Sequence, residues 1–327
     1  MNKPARILAT LLVLVALTVG TAAAVYWAPD RPVADLAARW APAPSIFLDV
    51  DGLRAHVRDE GPRDDPMPLV LLHGTAASLH TWDGWTTALI HERRVIRVDL
   101  PGFGLTGPAP DGDYRIERYV RFVTALLDAL RLERSVLAGN SFGGWLAWET
   151  ALALPDRVGA LVLVDAAGYA LESESVPIGF RIARIPGLNH LARVTLPRSL
   201  IESSVRNTYG DPSRVTPALV DRYYELTLRE GNRAALARRF AAGRYSDDPA
   251  RIRALQLPTL ILWGGRDRLI PPRYGERFHL DIEGSRLVIF PALGHVPHEE
   301  DPPATVAAVR EFLALIDAGT AASTQAD

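Results

Sequence analysis

The 327-residue chain contains no cysteine, which excludes disulfides, a thiol nucleophile and thiolate metal sites. Redox compartment stays open, because a protein without disulfides can reside anywhere. Lysine is nearly absent: Lys3 is the only one, and arginine carries the remaining positive charge. The formal net charge of −2 argues against a nucleic-acid partner. Uncharged runs long enough for a membrane are missing too, except at the N-terminus. There, Lys3 and Arg6 precede Ile7 to Ala28, 22 residues without a charge. As a helix rising about 1.5 Å per residue, this run would reach roughly 33 Å, the thickness of a bilayer core.

Two fates fit that run. Tyr26 and Trp27 sit where an aromatic belt would lie, which favours a retained single-pass anchor over residues 1–28. Ala22-Ala23-Ala24 offers the small residues that a signal peptidase reads, so secreted or periplasmic release after cleavage is the alternative. Either way the positive residues stay inside, and the rest of the chain is delivered outside the cytoplasm, to the periplasmic side in a Gram-negative cell.

Residues 29–44 are proline-rich and read as a linker with one short helical turn at Ala34 to Trp40. A single catalytic domain is expected over residues 45–317, followed by a small polar tail, 318–327, read as disordered. The domain opens with Asp51-Gly52 between alternating residues, a hairpin signal. Ile116, Tyr119, Val120, Val123, Leu126, Leu127 and Leu130 recur at helical spacing on one face. Continuous apolar runs such as Leu161 to Val164 read as strands covered on both sides, as in a parallel sheet. The alternation of strand and helix breaks over about 169–250, where arginine-rich helical segments take over. Residues 178–245 hold 12 arginines against 5 acidic residues. A solvated surface explains this bias; a role toward an acidic substrate or anionic membrane would start with Arg181 and Arg184, which lie early in the segment.

Chemistry concentrates at strand ends. Gly139-Asn140-Ser141-Phe142-Gly143 follows the apolar run Ser135 to Ala138 and opens a helical segment. Strand, sharp turn and helix are the setting in which a Gly-x-Ser-x-Gly elbow holds a serine hydroxyl above a sheet. Such a serine needs a base within hydrogen-bond reach and an acid to orient that base. Gly264-Gly265-Arg266-Asp267 follows the apolar run Leu257 to Trp263, and Leu293-Gly294-His295 follows Arg286 to Pro291. The order Ser, Asp, His separates this chain from chymotrypsin-like and subtilisin-like arrangements.

With these motifs the chain resembles the α/β-hydrolase family from about Phe47 to Leu315. His73-Gly74-Thr75 is similar to the His-Gly turn after the third strand, and Asp99-Leu100-Pro101-Gly102-Phe103-Gly104 to the turn after the next one. The resemblance implies a mostly parallel, eight-stranded sheet with helices on both faces and a helical lid inserted after the sixth strand. It also implies Ser141 as nucleophile, His295 as base, Asp267 as acid, and the backbone N–H groups of Thr75 and Phe142 as the oxyanion hole.

Rivals exist for two of these roles. His298 follows His295 closely and reads as a structural or capping residue; Asp165, after Leu161 to Val164, occupies a place from which some family members supply the acid. Asp99 and His73 read as shaping their turns. His73 and His80 lack the spacing of a zinc motif, and no cofactor motif is visible, so neither metal nor cofactor is expected.

The expected function is a serine hydrolase, carboxylesterase-like, acting on a small or medium, largely apolar small-molecule substrate. Asn140 and Phe142-Gly143-Gly144 around Ser141 also resemble hydrolases that cleave carbon–carbon bonds of meta-cleavage dienoates, which is the alternative. Thr75-Ala76-Ala77-Ser78 and Val296 depart from that group, which carries a glycine-rich segment and a tryptophan at these places. A third, distant reading is an inactive membrane-tethered binding protein; the intact triad speaks against it. Oligomeric state is not written in the sequence.

Overall fold

The computed structural model describes residues 3–185, 193–243 and 248–324. Eight strands form one sheet: β1 (Ile46–Val50), β2 (Leu53–Glu60), β3 (Leu69–Leu72), β4 (Val95–Val98), β5 (Ser135–Asn140), β6 (Val158–Val164), β7 (Thr259–Gly264) and β8 (Arg286–Phe290). Their spatial order is β1-β2-β4-β3-β5-β6-β7-β8. β1 pairs antiparallel with β2, and β2 with β4; from β4 to β8 every pairing is parallel. The expected hairpin is present. Asp51 and Gly52 take φ of 48° and 77°, the paired positive angles that let a two-residue turn follow the twist of its strands.

Alternate residues along each inner strand feed two cores. Val70, Leu72, Leu137, Leu161, Leu163 and Ile261 pack with the helices Ile116–Ala129, Phe142–Ala153 and Arg273–Asp281. Leu69, Leu71, Val136, Val162, Val164 and Leu262 face the other way, against Trp82, Trp85, Val309 and Phe312. Both faces are covered, which is why these strands are apolar throughout. The expected amphipathic helix runs over Ile116–Ala129 and buries Tyr119, Phe122, Val123, Leu126 and Leu127. Between β6 and β7 the chain makes a helical insertion that includes Ile178–Ala183, Arg198–Thr208, Pro217–Thr227 and Asn232–Ala241.

The chain ahead of the sheet is not a loose spacer. Helix α1 (Lys3–Val25) exposes Ile7, Leu11, Val13, Leu14 and Leu17. Several of its other side chains lie outside the described set, and among the described residues no helix is long and apolar enough to cross a membrane. After it, Trp27 bridges Thr195 and Arg31 bridges Arg229, so residues 26–31 lie across the insertion. Helix α2 (Val33–Trp40) buries Leu36 against Leu105 and Leu226, while Trp40 donates its indole N–H to Glu225 at 2.7 Å. At the other end the helix Pro302–Thr324 continues through residues read from the sequence as an unstructured tail. Ala318, Ala321 and Ala322 are strong helix formers and propagate it. Residues 325–327 fall outside the described residues.

A buried polar cluster ties α2 and the first hairpin to the loops after β3 and β4. Asp99 accepts the backbone N–H of Leu79 at 2.7 Å and of Leu105 at 2.8 Å, and pairs with His56 Nδ1 at 2.7 Å. His80 donates from Nε2 to the Trp40 carbonyl at 2.9 Å, which leaves Nδ1 to accept the Ser78 hydroxyl at 3.1 Å. Burial pulls the His80 pKa down from 6.5 to about 4, against the opposing pull of Asp99. An unfolded imidazole titrates near 6.5, so between that value and 4 the unfolded chain binds the extra proton and stability rises with pH. Thermal unfolding followed from pH 7 to 4 is therefore expected to weaken through this window, by on the order of 1 kcal/mol per pH unit from this group. His80→Gln should make the decline shallower; an unchanged slope would assign it to other residues.

Candidate active site

Ser141 lies between β5 and the helix Phe142–Ala153 with φ 55° and ψ −114°, a conformation that L-residues rarely hold. Its neighbours make the conformation obligatory. A Cβ on Gly139 would collide with the Gly143 carbonyl, and one on Gly143 with the Leu72 carbonyl, so strand, turn and helix meet only with glycine at both places. The Ser141 N–H donates to Val164 O at 3.0 Å, and the Ser141 carbonyl accepts the N–H of Ala167 at 3.0 Å. The hydroxyl is thereby presented at the carboxyl end of the sheet.

His295 sits on the loop after β8 and Asp267 on the loop after β7. His295 Nδ1 and Asp267 Oδ2 are 2.6 Å apart, both groups buried. The other oxygen of Asp267 accepts the N–H of Leu269 at 2.8 Å and of Ile270 at 3.0 Å. With Nδ1 committed to the carboxylate, Nε2 is the ring nitrogen available to a substrate or a nucleophile. No hydrogen bond joins Ser141 Oγ to His295 among the described residues, but both line one cavity. Phe142 is the first helical residue, so its N–H has no acceptor within the helix, and Thr75 lines the same cavity directly after the His73-Gly74 turn. His73 shapes that turn: Nδ1 donates to Gly74 O at 2.7 Å and Nε2 accepts the Leu100 N–H at 2.9 Å.

The two rivals have other roles. His298 is fully buried, its ring lies 4.0 Å from that of Trp82, and among the described residues neither nitrogen has a hydrogen-bond partner. Burial and then His295 lower its pKa well below the usual imidazole value. It is a neutral packing residue, not a cap. Asp165 is also fully buried and accepts the Gly264 N–H at 3.0 Å through Oδ1. It reaches within 4.8 Å of Asp267 and His295, but does not hold the imidazole. Three such groups could in principle face a metal. Here Asp267 and His295 spend their facing atoms on each other and one Asp165 oxygen is taken by backbone, too few donors for a divalent cation.

Sequence reasoning missed the bracing role of several residues that build the site. Asn140 donates one amide group to Val164 O at 3.1 Å and to His295 O at 2.9 Å, tying the elbow to the histidine loop. Glu300 accepts the N–H of Gly294 at 2.8 Å, of Gly210 at 2.9 Å and of Asp211 at 2.8 Å, bracing that loop against the insertion. The His295 N–H donates to Thr208 O at 2.7 Å from the same insertion. The cavity itself measures about 400 Å³ and is walled mainly by apolar side chains, among them Phe180, Ile182, Leu200, Leu236, Leu269 and Val296. Neither Arg181 nor Arg184 is among its lining residues, and Arg184 lies over the Phe240 ring at 4.5 Å. Among the described residues Arg233 is the arginine that lines the cavity, and position in the chain gave no signal of it.

A family model for the α/β-hydrolase fold matches residues 67–302. The chain belongs to the α/β-hydrolase fold family. It is a hydrolase of that fold, and the eight-stranded, mostly parallel sheet is the expected one. A 2-hydroxy-6-oxo-2,4-heptadienoate hydrolase of Pseudomonas putida is 32% identical over 278 residues, covering 81% of this chain and 95% of its own. A solved meta-cleavage product hydrolase from Pseudomonas fluorescens superposes with a TM-score of 0.70 at 27% identity, over 83% of this chain and 97% of its own. A solved membrane phospholipase A, a bacterial virulence factor, superposes with a TM-score of 0.73 at 25% identity, over 95% of this chain and 99% of its own. The first two names stand nearer to the carbon–carbon alternative than to the ester reading.

Burial, and then the Asp267 charge, raise the Asp165 pKa well above the carboxylate range, because two acids this close in a dry site cannot both ionise. The unfolded carboxyl ionises near 3.9 whereas the folded one keeps its proton, so Asp165 costs stability increasingly as pH rises above that value. Asp165→Asn keeps the acceptor for Gly264 and removes the cost. Its Tm is expected to exceed that of the wild type by a margin that grows from pH 4 to 8. A margin that is flat or negative across this range would refute the assignment.

Proposed function

We propose that this protein is a serine hydrolase of carboxylic esters with an apolar acyl chain. The observation that carries the reading is the apolar cavity bearing Ser141, His295 and Thr75 in its wall, with its arginine, Arg233, already paired to Asp30 at 2.5 Å. Ser141 attacks the ester carbonyl as His295 Nε2 takes its proton, and Asp267 steadies the imidazolium that forms. The N–H groups of Thr75 and Phe142 receive the negative oxygen of the tetrahedral intermediate. His295 then protonates the leaving alcohol, and water, activated by the same imidazole, releases the acid and restores Ser141. The cavity wall excludes bulk water and positions the chain, so acyl length selects among esters.

A second reading is carbon–carbon bond hydrolysis of a meta-cleavage-type dienoate, favoured by the 32%-identical Pseudomonas putida relative. Such a substrate carries a carboxylate, which an apolar cavity with a committed arginine receives poorly. For location, we infer that residues 1–28 tether the hydrolase to a membrane with the catalytic domain on the outer, periplasmic side; release by signal cleavage is the alternative. The apolar run and the exposed face of α1 support the tether. So does the likeness to a membrane phospholipase A over 95% of this chain, because that breadth leaves fewer residues unmatched than residues 1–28 comprise.

Turnover of p-nitrophenyl esters of increasing acyl length, beside a ring-cleavage dienoate, tests the chemistry. Ester hydrolysis is expected to dominate, to fall by about 10⁶ in Ser141→Ala and by roughly 10⁴ in Asp267→Asn. Dienoate cleavage well above ester cleavage would replace the ester reading with the second one. Location is tested by alkaline carbonate extraction: the full chain is expected in the membrane pellet and the chain lacking residues 1–25 in the supernatant. Full-length protein released by carbonate would remove the tether.

A further inference from the structure

Residues 26–31, read from the sequence as the end of an apolar segment and the start of a linker, pack on the insertion and bring one residue to the cavity wall. Tyr26 is one of its lining residues. The segment is pinned on both flanks. Leu196 N–H donates to Tyr26 O at 3.0 Å and Ala28 N–H to Val194 O at 2.9 Å. Farther along, Arg31 N–H donates to Leu228 O at 2.7 Å and the Arg31 carbonyl accepts the Glu230 N–H at 2.8 Å. Ala28 is buried with Leu196 and Leu228. Between these anchors Asp30 has little freedom to lose on pairing. Its Oδ2 accepts the Gly231 N–H at 2.9 Å; its Oδ1 accepts Arg233 Nε at 3.1 Å and Nη2 at 2.5 Å. The Arg233 side chain is only 5% exposed.

A guanidinium this deeply buried requires an anion, because an uncompensated one costs several kcal/mol. In a hydrolase cavity the anion can come from the substrate or from the protein. Here the protein supplies it, from a segment that precedes the hydrolase domain. We propose that Asp30 is a specificity-determining residue: by holding Arg233 it withholds the cavity's cation from substrate, selecting uncharged acyl chains against carboxylate-bearing ones. The substrate class rests on the ester reading above; the masking of Arg233 does not.

The test uses the full chain in detergent. The ratio of kcat/KM for mono-p-nitrophenyl glutarate to that for p-nitrophenyl pentanoate reports discrimination against a carboxylate. Asp30→Asn and Asp30→Ser each keep an acceptor for the Gly231 N–H while removing the charge. Both are expected to raise the ratio by about tenfold or more, the worth of one charge-assisted hydrogen bond. Asp30→Glu should stay near the wild-type ratio, and adding Arg233→Gln to Asp30→Asn should abolish the gain. An unchanged ratio in a variant with wild-type Tm, or a gain that survives the loss of Arg233, overturns the proposal. Calorimetry of hexanoate against hexanamide needs no turnover. Hexanoate binding strengthened by Asp30→Asn supports masking even where neither ester is cleaved, an outcome that would sink the ester reading alone. Equal binding in wild type and variant refutes masking.

Discussion

The side-chain amide of Asn140 is the small bond on which the site's geometry hangs. It lies one residue before the strained Ser141 and donates to carbonyls at the end of β6 and on the histidine loop beyond β8. Three separate chain segments are thus fixed by one planar group. The elbow's unfavourable φ persists because the surroundings over-determine it, through these bonds and through the glycine contacts that admit no other side chain. Positioning of Ser141 relative to His295 therefore rests on a planar bonded group as well as on packing. An apolar wall can relax by an ångström; an amide bonded at both hydrogens cannot.

Much of this was legible in the sequence because it is local. The elbow, the Gly-Gly-Arg-Asp turn, the Asp-Gly hairpin and the helix at Ile116–Ala129 each announce themselves within about a dozen residues, and order along the chain supplied the rest. What was not legible depends on partners far away in sequence. Asn140 reads as a family-like neighbour of the serine, and its bonds to residues 24 and 155 positions onward exist only once the strands are ordered. Arg181 and Arg184 were singled out by position, but which face of a helical insertion turns inward depends on how the helices stack, so the lining arginine proved to be Arg233. Proline content made residues 29–44 read as a spacer, although Leu36 and Trp40 find a groove made by residues some 70 to 190 positions away.

The carboxylates divide the labour by environment. Asp99, whose pKa burial would raise, is held well below the carboxylate range by His56 and neighbouring imidazoles, and anchors loops as an anion. Asp165 has the Asp267 carboxylate as its close neighbour instead, and burial together with that charge keeps its proton on. Asp267 is left as the acid with both oxygens engaged in orienting groups. One residue type thus supplies an anchor, a neutral neighbour and an imidazole partner, and burial alone would not have told them apart.

Glu300 carries a mechanical consequence. One carboxylate holds Gly294 beside His295 together with Gly210 and Asp211 of the insertion, and the His295 N–H is itself bonded to Thr208 there. The roof at that end is riveted to the imidazole's own loop. Lifting it would break the bonds that place the base, so this end of the insertion cannot move without loss of the catalytic geometry.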